Sequence, residues 1–133
     1  MIAYLDANIV IYFVEQNPTW VARVTARLAG LRSAAHDIAV SDVARLECLV
    51  GPFVSGDVTV LADYAAFFAN PAIRVLALPG AVWERAARIR ATHHFKPLDA
   101  LHLATAVEHG CGLFLTNDVQ LSRFPDITVE ILM

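Results

Sequence analysis

The sequence predicts an α/β domain in three layers, α/β/α, around a mostly parallel central sheet of about four to five strands. Three observations carry that expectation. Short apolar runs of strand length alternate along the chain with segments of helical periodicity. No Pro-, Gly- or Ser-rich linker breaks the alternation, so residues 1 to 133 read as a single domain. Apolar residues make up 57% of the chain and charged ones 17%, which suits a real core and excludes a disordered polypeptide. Strands separated by helices imply right-handed crossovers, and in such sheets ligands sit outside the carboxyl ends of the strands, near a switch in strand order.

Each element follows from local chemistry. Ile2 to Leu5 is a short apolar run ending at Asp6, as in a buried strand. Asn8 is placed to cap a first helix through Ile9, Val10, Tyr12 and Phe13. Trp20 to Ala34 carries Trp20, Val24, Leu28 and Leu31 at helical spacing. Ile38 to Val40 is a very short strand, and Ser41 reads as the N-cap of a helix bearing Val43, Leu46, Glu47 and Val50, closed near Gly51 and Pro52. A further helix spans Val58 to Ala69 and stops at Asn70 and Pro71. Ile73 to Leu78 is strand-like, then Pro79 and Gly80 introduce a helix from Ala81 to Thr92. The next helix begins near Pro97, favoured in a first turn, and stops at Gly110. Leu113 to Leu115 is a strand, Asp118 to Arg123 a short helical turn, and Ile127 to Ile131 a last strand.

Composition excludes several classes. A net charge of −3 argues against a protein that coats nucleic acid by bulk electrostatics. No apolar run approaches the roughly 18 residues of a membrane span. The opening MIAYLDANIV lacks the features of a signal peptide, and Cys48 and Cys111 read as reduced core residues. Together these point to a cytoplasmic domain. One local feature stands out: Arg85, Arg88, Arg90 and Lys96, with His93 and His94, form a basic strip. It suits brief contact with a phosphate backbone, and equally a solvated helix face.

Four acids carry the chemistry. Asp6 ends the first strand, and Asp118 follows Leu113–Leu115 by way of Thr116 and Asn117. Taken singly, Asp6 fits a turn and Asp118 fits a helix cap. Glu47 shares a stripe with Val43 and Val50 that should face the core, where an unpaired carboxylate costs several kcal/mol. It needs a cation, a hydrogen-bonding shell, a raised pKa or an internal salt bridge. Asp99 lies in a first helical turn, where the helix dipole alone would favour it. Brought together, carboxylates about 5 Å apart repel by roughly 3 kcal/mol per pair at an effective dielectric near 20. Four could not all ionise at neutral pH without a cation. An all-oxygen site suits Mg²⁺ or Mn²⁺ better than zinc. Phosphodiester hydrolysis is the natural chemistry of such a site.

At these residues the sequence resembles the PIN-domain family, and more narrowly the VapC-type toxins of toxin–antitoxin pairs. The resemblance runs nearly the full length, in order: LDAN with Asp6, SDVARLE with Glu47, PLDALHLATA with Asp99, and LTND with Asp118. It implies a Mg²⁺-dependent endoribonuclease in which Asp6, Asp99 and Asp118 hold metal and Glu47 assists. It also implies a homodimer, an antitoxin protein that occludes the site, and structured RNA such as transfer or ribosomal RNA as target. In-line attack by a metal-bound hydroxide would leave a 5′-phosphate and a 3′-hydroxyl. Asn8, Thr116 and Asn117 match polar positions flanking the first and last acids. Many relatives carry Thr or Ser directly after the first aspartate. Here that residue is Ala7.

Other residues fit two readings each. His102, one turn after Asp99, suits packing, a hydrogen bond to an acid, or substrate. Lys96 is the best-placed cation for a phosphate, or is merely solvated. Trp20, Trp83, Tyr64, Phe67 and Phe68 read as core or interface, and the segment from Trp20 to Phe68 holds two helices that could form an antitoxin groove. The competing reading of the whole chain is a non-catalytic RNA-binding or protein-interaction module. A phosphotransferase using Asp6 lacks its partners, since Asn8 stands where the second acid would be needed.

Overall fold

The computed structural model describes residues 1–133. Five strands form one sheet: β1 (Ile2–Leu5), β2 (Asp37–Ser41), β3 (Ile73–Leu76), β4 (Leu113–Thr116) and β5 (Val129–Ile131). Their order is β3-β2-β1-β4-β5, and every neighbouring pair is parallel. Six helices connect them: α1 (Ala7–Val14), α2 (Val21–Ser33), α3 (Asp42–Ser55), α4 (Val58–Ala69), α5 (Gly80–His93) and α6 (Pro97–Glu108). A 3₁₀ turn over Val119–Arg123 precedes β5. The predicted three-layer architecture is what forms, with the sheet parallel throughout.

The sheet's alternation sorts two cores. Ala3 and Leu5 of β1, Ile38 and Val40 of β2, and Leu113 and Leu115 of β4 point to one face, where α1, α2 and α4 cover them. Tyr4, Ala39 and Phe114, the residues between, point to the other face, under α5 and α6. Helix α3 straddles the two, giving Val43 to one core and Ala44 and Cys48 to the other.

Several details differ from expectation. The cap of α1 is Asp6, whose side chain accepts from the Ala7 backbone N–H, so Asn8 lies inside the helix and its side chain is free for other work. Helix α3 runs through Pro52 to Ser55 and closes at Gly56, which takes the left-handed conformation (φ 72°). Pro52 is buried, and the helix continues past it although it cannot donate a backbone hydrogen bond. The stripe on α3 is also turned from the one expected. Val43, Ala44 and Cys48 face inward, Val50 is exposed, and Glu47 sits at the edge with its side chain 31% exposed.

The aromatic residues divide likewise. Tyr64, Phe67 and Phe68 are core, while Trp83 is 54% exposed. The large aromatic residues of α4 are therefore inside the fold and do not line an open groove.

Candidate functional site

The strand order places β1 in the middle, with the chain crossing to β2 and β3 on one side and to β4 and β5 on the other. The switch falls between β1 and β4, where a doubly wound sheet opens a crevice at its carboxyl edge. Asp6 leaves β1 there and Asp118 leaves β4. Their pairing continues past the strands: the Asp6 backbone N–H donates to Leu115 O at 2.9 Å.

A single hydroxyl ties these two acids together. Thr116 Oγ1, fully buried, donates to Asp6 Oδ2 at 2.7 Å and accepts from the Asp118 backbone N–H at 3.1 Å. Asp6 Oδ1 takes the Ala7 N–H at 2.8 Å. So although Ala7 brings no hydroxyl, Asp6 has one from across the sheet. Asp118 Oδ1 accepts from the Gln120 N–H at 3.0 Å, capping the 3₁₀ turn. Asp118 thus has the capping role its sequence context allowed, and Asp6, expected in a turn, proves to be a helix cap as well.

Beside them, Asn8 Nδ2 donates to Asn117 Oδ1 at 2.8 Å. That leaves Asn8 Oδ1 as the one buried side-chain oxygen or nitrogen in the molecule without a hydrogen-bond partner. Buried acceptors are nearly always satisfied, so an orphan one here suits a donor that arrives with a ligand, such as a water.

Asp99 enters from the first turn of α6, half-buried. Burial pushes its carboxyl above the usual range, and the negative charges of Asp6 and Asp118 push it further. His102 opposes the shift, and Glu47 adds the weakest upward contribution. None of these influences is a hydrogen bond, so Asp99 is the acid with least support from the protein. The charges also report proximity: Asp6, Asp118 and Glu47 all lie near enough to act on Asp99.

Glu47 reaches the group through His102. The imidazole is fully buried, with Nε2 2.6 Å from Glu47 Oε1 and 3.6 Å from Asp6 Oδ1. Its Nδ1 lies 2.7 Å from the Tyr4 hydroxyl, which lies 2.8 Å from Ser41 Oγ. Of the residues that sequence reasoning proposed, the structure brings together Asp6, Glu47, Asp99, Asp118, Asn8, Thr116, Asn117 and His102. It adds Tyr4 and Ser41. Nothing local marked those two, since Tyr4 reads as a strand residue and Ser41 as a cap.

The basic strip is partly spent on the fold. Arg85 pairs with Glu108, Arg90 Nε donates to Phe95 O, and Arg123 donates to His93 O while lying over the Phe95 ring. Lys96 is exposed directly before α6, and Arg88 is exposed on α5. Those two remain for contact with an anionic ligand.

The donor set fits a hard cation. Carboxylate oxygens dominate, and the one imidazole nearby has its Nε2 turned to Glu47. No three His, Cys, Asp or Glu side chains are drawn close enough to grip an ion directly. Zn²⁺ asks for close tetrahedral nitrogen and sulfur ligands, whereas Mg²⁺ keeps several waters and takes one or two carboxylates. A spread set of acids with an orphan acceptor beside it matches the second demand.

Comparison with solved structures places the fold. VapBC2 from Rickettsia felis, bound to a DNA fragment from its promoter, superimposes with a TM-score of 0.84 at 18% identity, covering 100% of both chains. DNA-bound VapBC from Salmonella typhimurium gives 0.81 at 20% identity, covering 100% of this chain and 99% of that one. Mycobacterium tuberculosis VapC20, described as a Sarcin-Ricin loop cleaving toxin, gives 0.71 at 14% identity over 95% and 98%. At such identities the likeness is one of fold. Among curated proteins, none matches the chain by sequence. A family model does: the PIN domain model matches residues 3–127, a span that takes in all four acids, and on that match the chain belongs to the PIN-domain family.

Proposed function

We propose that this chain is a Mg²⁺-dependent endoribonuclease, the toxin of a VapC-like toxin–antitoxin pair. The observation that carries the reading is the meeting of Asp6, Glu47, Asp99 and Asp118 at the strand-order switch, with no lysine or arginine paired to any of them. Four such groups call for a cation, and the reading is supported by membership of the PIN-domain family and by the likeness in fold to Mycobacterium tuberculosis VapC20, described as a Sarcin-Ricin loop cleaving toxin.

Asp6, Asp99 and Asp118 would hold the ion, which when bound would neutralise phosphoryl oxygens and acidify a water. The chain's own residues supply the rest. Thr116 ties the Asp6 carboxylate to the backbone of Asp118. Asn8 Oδ1, lacking a partner, accepts from an incoming water. Glu47 orients the attacking water, and Lys96, exposed directly before α6, contacts the RNA backbone. In-line attack by water leaves a 5′-phosphate and a 3′-hydroxyl.

Structured RNA, such as transfer or ribosomal RNA, is the proposed substrate class, met in the cytoplasm. No helix is long and apolar enough to cross a membrane. A homodimer and an antitoxin are the proposed partners. The apolar outside of α3 and the start of α4, where Leu46, Val50, Phe53, Val54 and Val58 are exposed, supports a chain that normally has company.

The test is cleavage of total cellular RNA by the purified chain with Mg²⁺, with Mn²⁺ and with EDTA, beside Asp99→Asn. Cutting that needs metal, vanishes in the variant and leaves 5′-phosphates is expected. Ends bearing a 2′,3′-cyclic phosphate would overturn the hydrolytic mechanism, and no cutting under any condition would favour an RNA-binding module.

A further inference from the structure

We infer that His102 is a positioning residue for Glu47, held in one tautomer by a directed chain of hydrogen bonds that begins and ends on α3. What Glu47 then does rests on the nuclease reading above. The hydrogen-bond chain itself does not.

The direction follows from the donors and acceptors. A carboxylate can only accept, so the nitrogen facing Glu47 Oε1 at 2.6 Å, Nε2, carries a proton. In a neutral imidazole Nδ1 is then a bare acceptor, and the Tyr4 hydroxyl donates to it at 2.7 Å. Tyr4 Oη, its proton committed, accepts from the Ser41 hydroxyl at 2.8 Å. Ser41 Oγ in turn accepts from the Val43 backbone N–H at 3.3 Å. Each proton has one acceptor. Run the other way, Ser41 would receive two protons and its own hydroxyl hydrogen would point at nothing, on a side chain with no exposure to water.

Tyr4, Ser41 and His102 are all fully buried, so water does not compete for these bonds. Tyr4 is also fixed by stacking on Phe114, with ring centroids 5.4 Å apart. At the end of this rigid run stands Glu47, a long side chain on a partly open face, with several rotamers to choose from. The bond to Nε2 selects one. It occupies Oε1 and leaves Oε2 as the oxygen available to the acid group. Because Tyr4 precedes Asp6 on β1 and His102 follows Asp99 on α6, the same chain sets three acids in register.

Side-chain shape provides the test. Glutamine at 102 can place an N–H near the position of Nε2, while asparagine ends near Nδ1 and cannot reach Glu47. In RNA cleavage with Mg²⁺, His102→Asn should lower kcat about 10- to 100-fold and leave KM within about twofold. His102→Gln should recover most of that loss, and Tyr4→Phe should fall between them. Equal losses in the Asn and Gln variants, with both folded by circular dichroism, would reduce His102 to packing. A long-range ¹H–¹⁵N spectrum of the wild-type ring gives a second readout that does not depend on cutting. A protonated Nε2 with a bare Nδ1 supports the chain, and a proton on Nδ1 overturns it whether or not RNA is cleaved. Metal-dependent cutting by the wild type tests the nuclease reading separately.

Discussion

Helices α3 and α6 each bring an acid to the same crevice, yet they are built in opposite ways. In α6 every residue from Ala100 to Ala106 is buried, Thr105 included, its hydroxyl returned to Leu101 O at 2.7 Å. In α3 four residues reach the core, and the outer face carries Leu46, Val50, Phe53 and Val54, the last two 67% and 85% exposed. Asp99 is therefore aimed by its backbone, since α6 has no freedom to turn. Glu47 is aimed by a hydrogen bond, because α3 leaves it at an edge. A group placed by packing needs no partner of its own, and Asp99 has none. A group placed on an open helix needs one, and His102 is it.

That contrast can be broken most sharply at Asp99. Asp99→Asn should lower RNA cleavage about 10²- to 10³-fold, the scale of removing a principal charge-stabilising group, with little change in fold. Single-turnover assays beside a thermal melt would check both halves, and a variant that cut normally would remove Asp99 from the site.

The packing side of the comparison predicts the next largest effect. Leu103→Ala, fully buried in α6, should cost about 2–5 kcal/mol of stability. Val50→Ala on the outside of α3 should stay within about 0.5 kcal/mol for the lone chain. Urea denaturation of both variants measures the difference. A large loss at Val50 would mean that the α3 face is covered in solution, and its dependence on protein concentration would show by what.

A smaller effect is expected at Ser41, which caps α3 and begins the hydrogen-bond run to Glu47. Ser41→Ala should cost about 1 kcal/mol as a lost cap. It should also reduce kcat, which the loss of an ordinary cap would not do. Measuring both in one preparation separates the two roles.

The smallest effect is the pH response of the metal-free chain. The folded carboxyl of Asp99 titrates above the ordinary range, so folding favours its neutral form. Below the unfolded value the group is protonated in both states and costs nothing. As pH rises through that value and then through the raised folded one, stability is lost, and the loss is complete above it. Asp99→Asn should therefore be more stable than wild type at neutral pH without metal, and the gap should close on acidification. Mg²⁺ should stabilise the wild type more than the variant. Melts at two pH values, with and without Mg²⁺, would decide.

Most of the fold was legible because strands and helices announce themselves by period and by punctuation, as at Ser41, Pro97 and Gly110. The acids Asp6 and Asp118 were legible for a topological reason: residues just past parallel strands fall on one edge. The α3 stripe was not. With apolar residues on both its faces, periodicity allows two answers, and Val50, which fits the inward one, lies outside. Pro52 misled for a similar reason, since its burial could only be known from what packs on it. Tyr4, Ser41 and His102 are separated by 37 and 98 positions along their hydrogen bonds. No short-range signal spans that distance, and only the folded sheet brings a strand residue, a cap and a helix residue into one line.

Asp6 serves the fold and the crevice at once, capping α1 with one oxygen and taking the Thr116 hydroxyl with the other. Asp99 serves the crevice alone. If growing cells were selected for survival under expression of this chain, changes at both positions would relieve the burden, but by different routes. Survivors altered at Asp99 would hold full amounts of inert protein. Those altered at Asp6 would tend to hold less protein, because α1 loses its cap. A simple immunoblot of such a collection would sort the two residues by phenotype, without any assay of RNA.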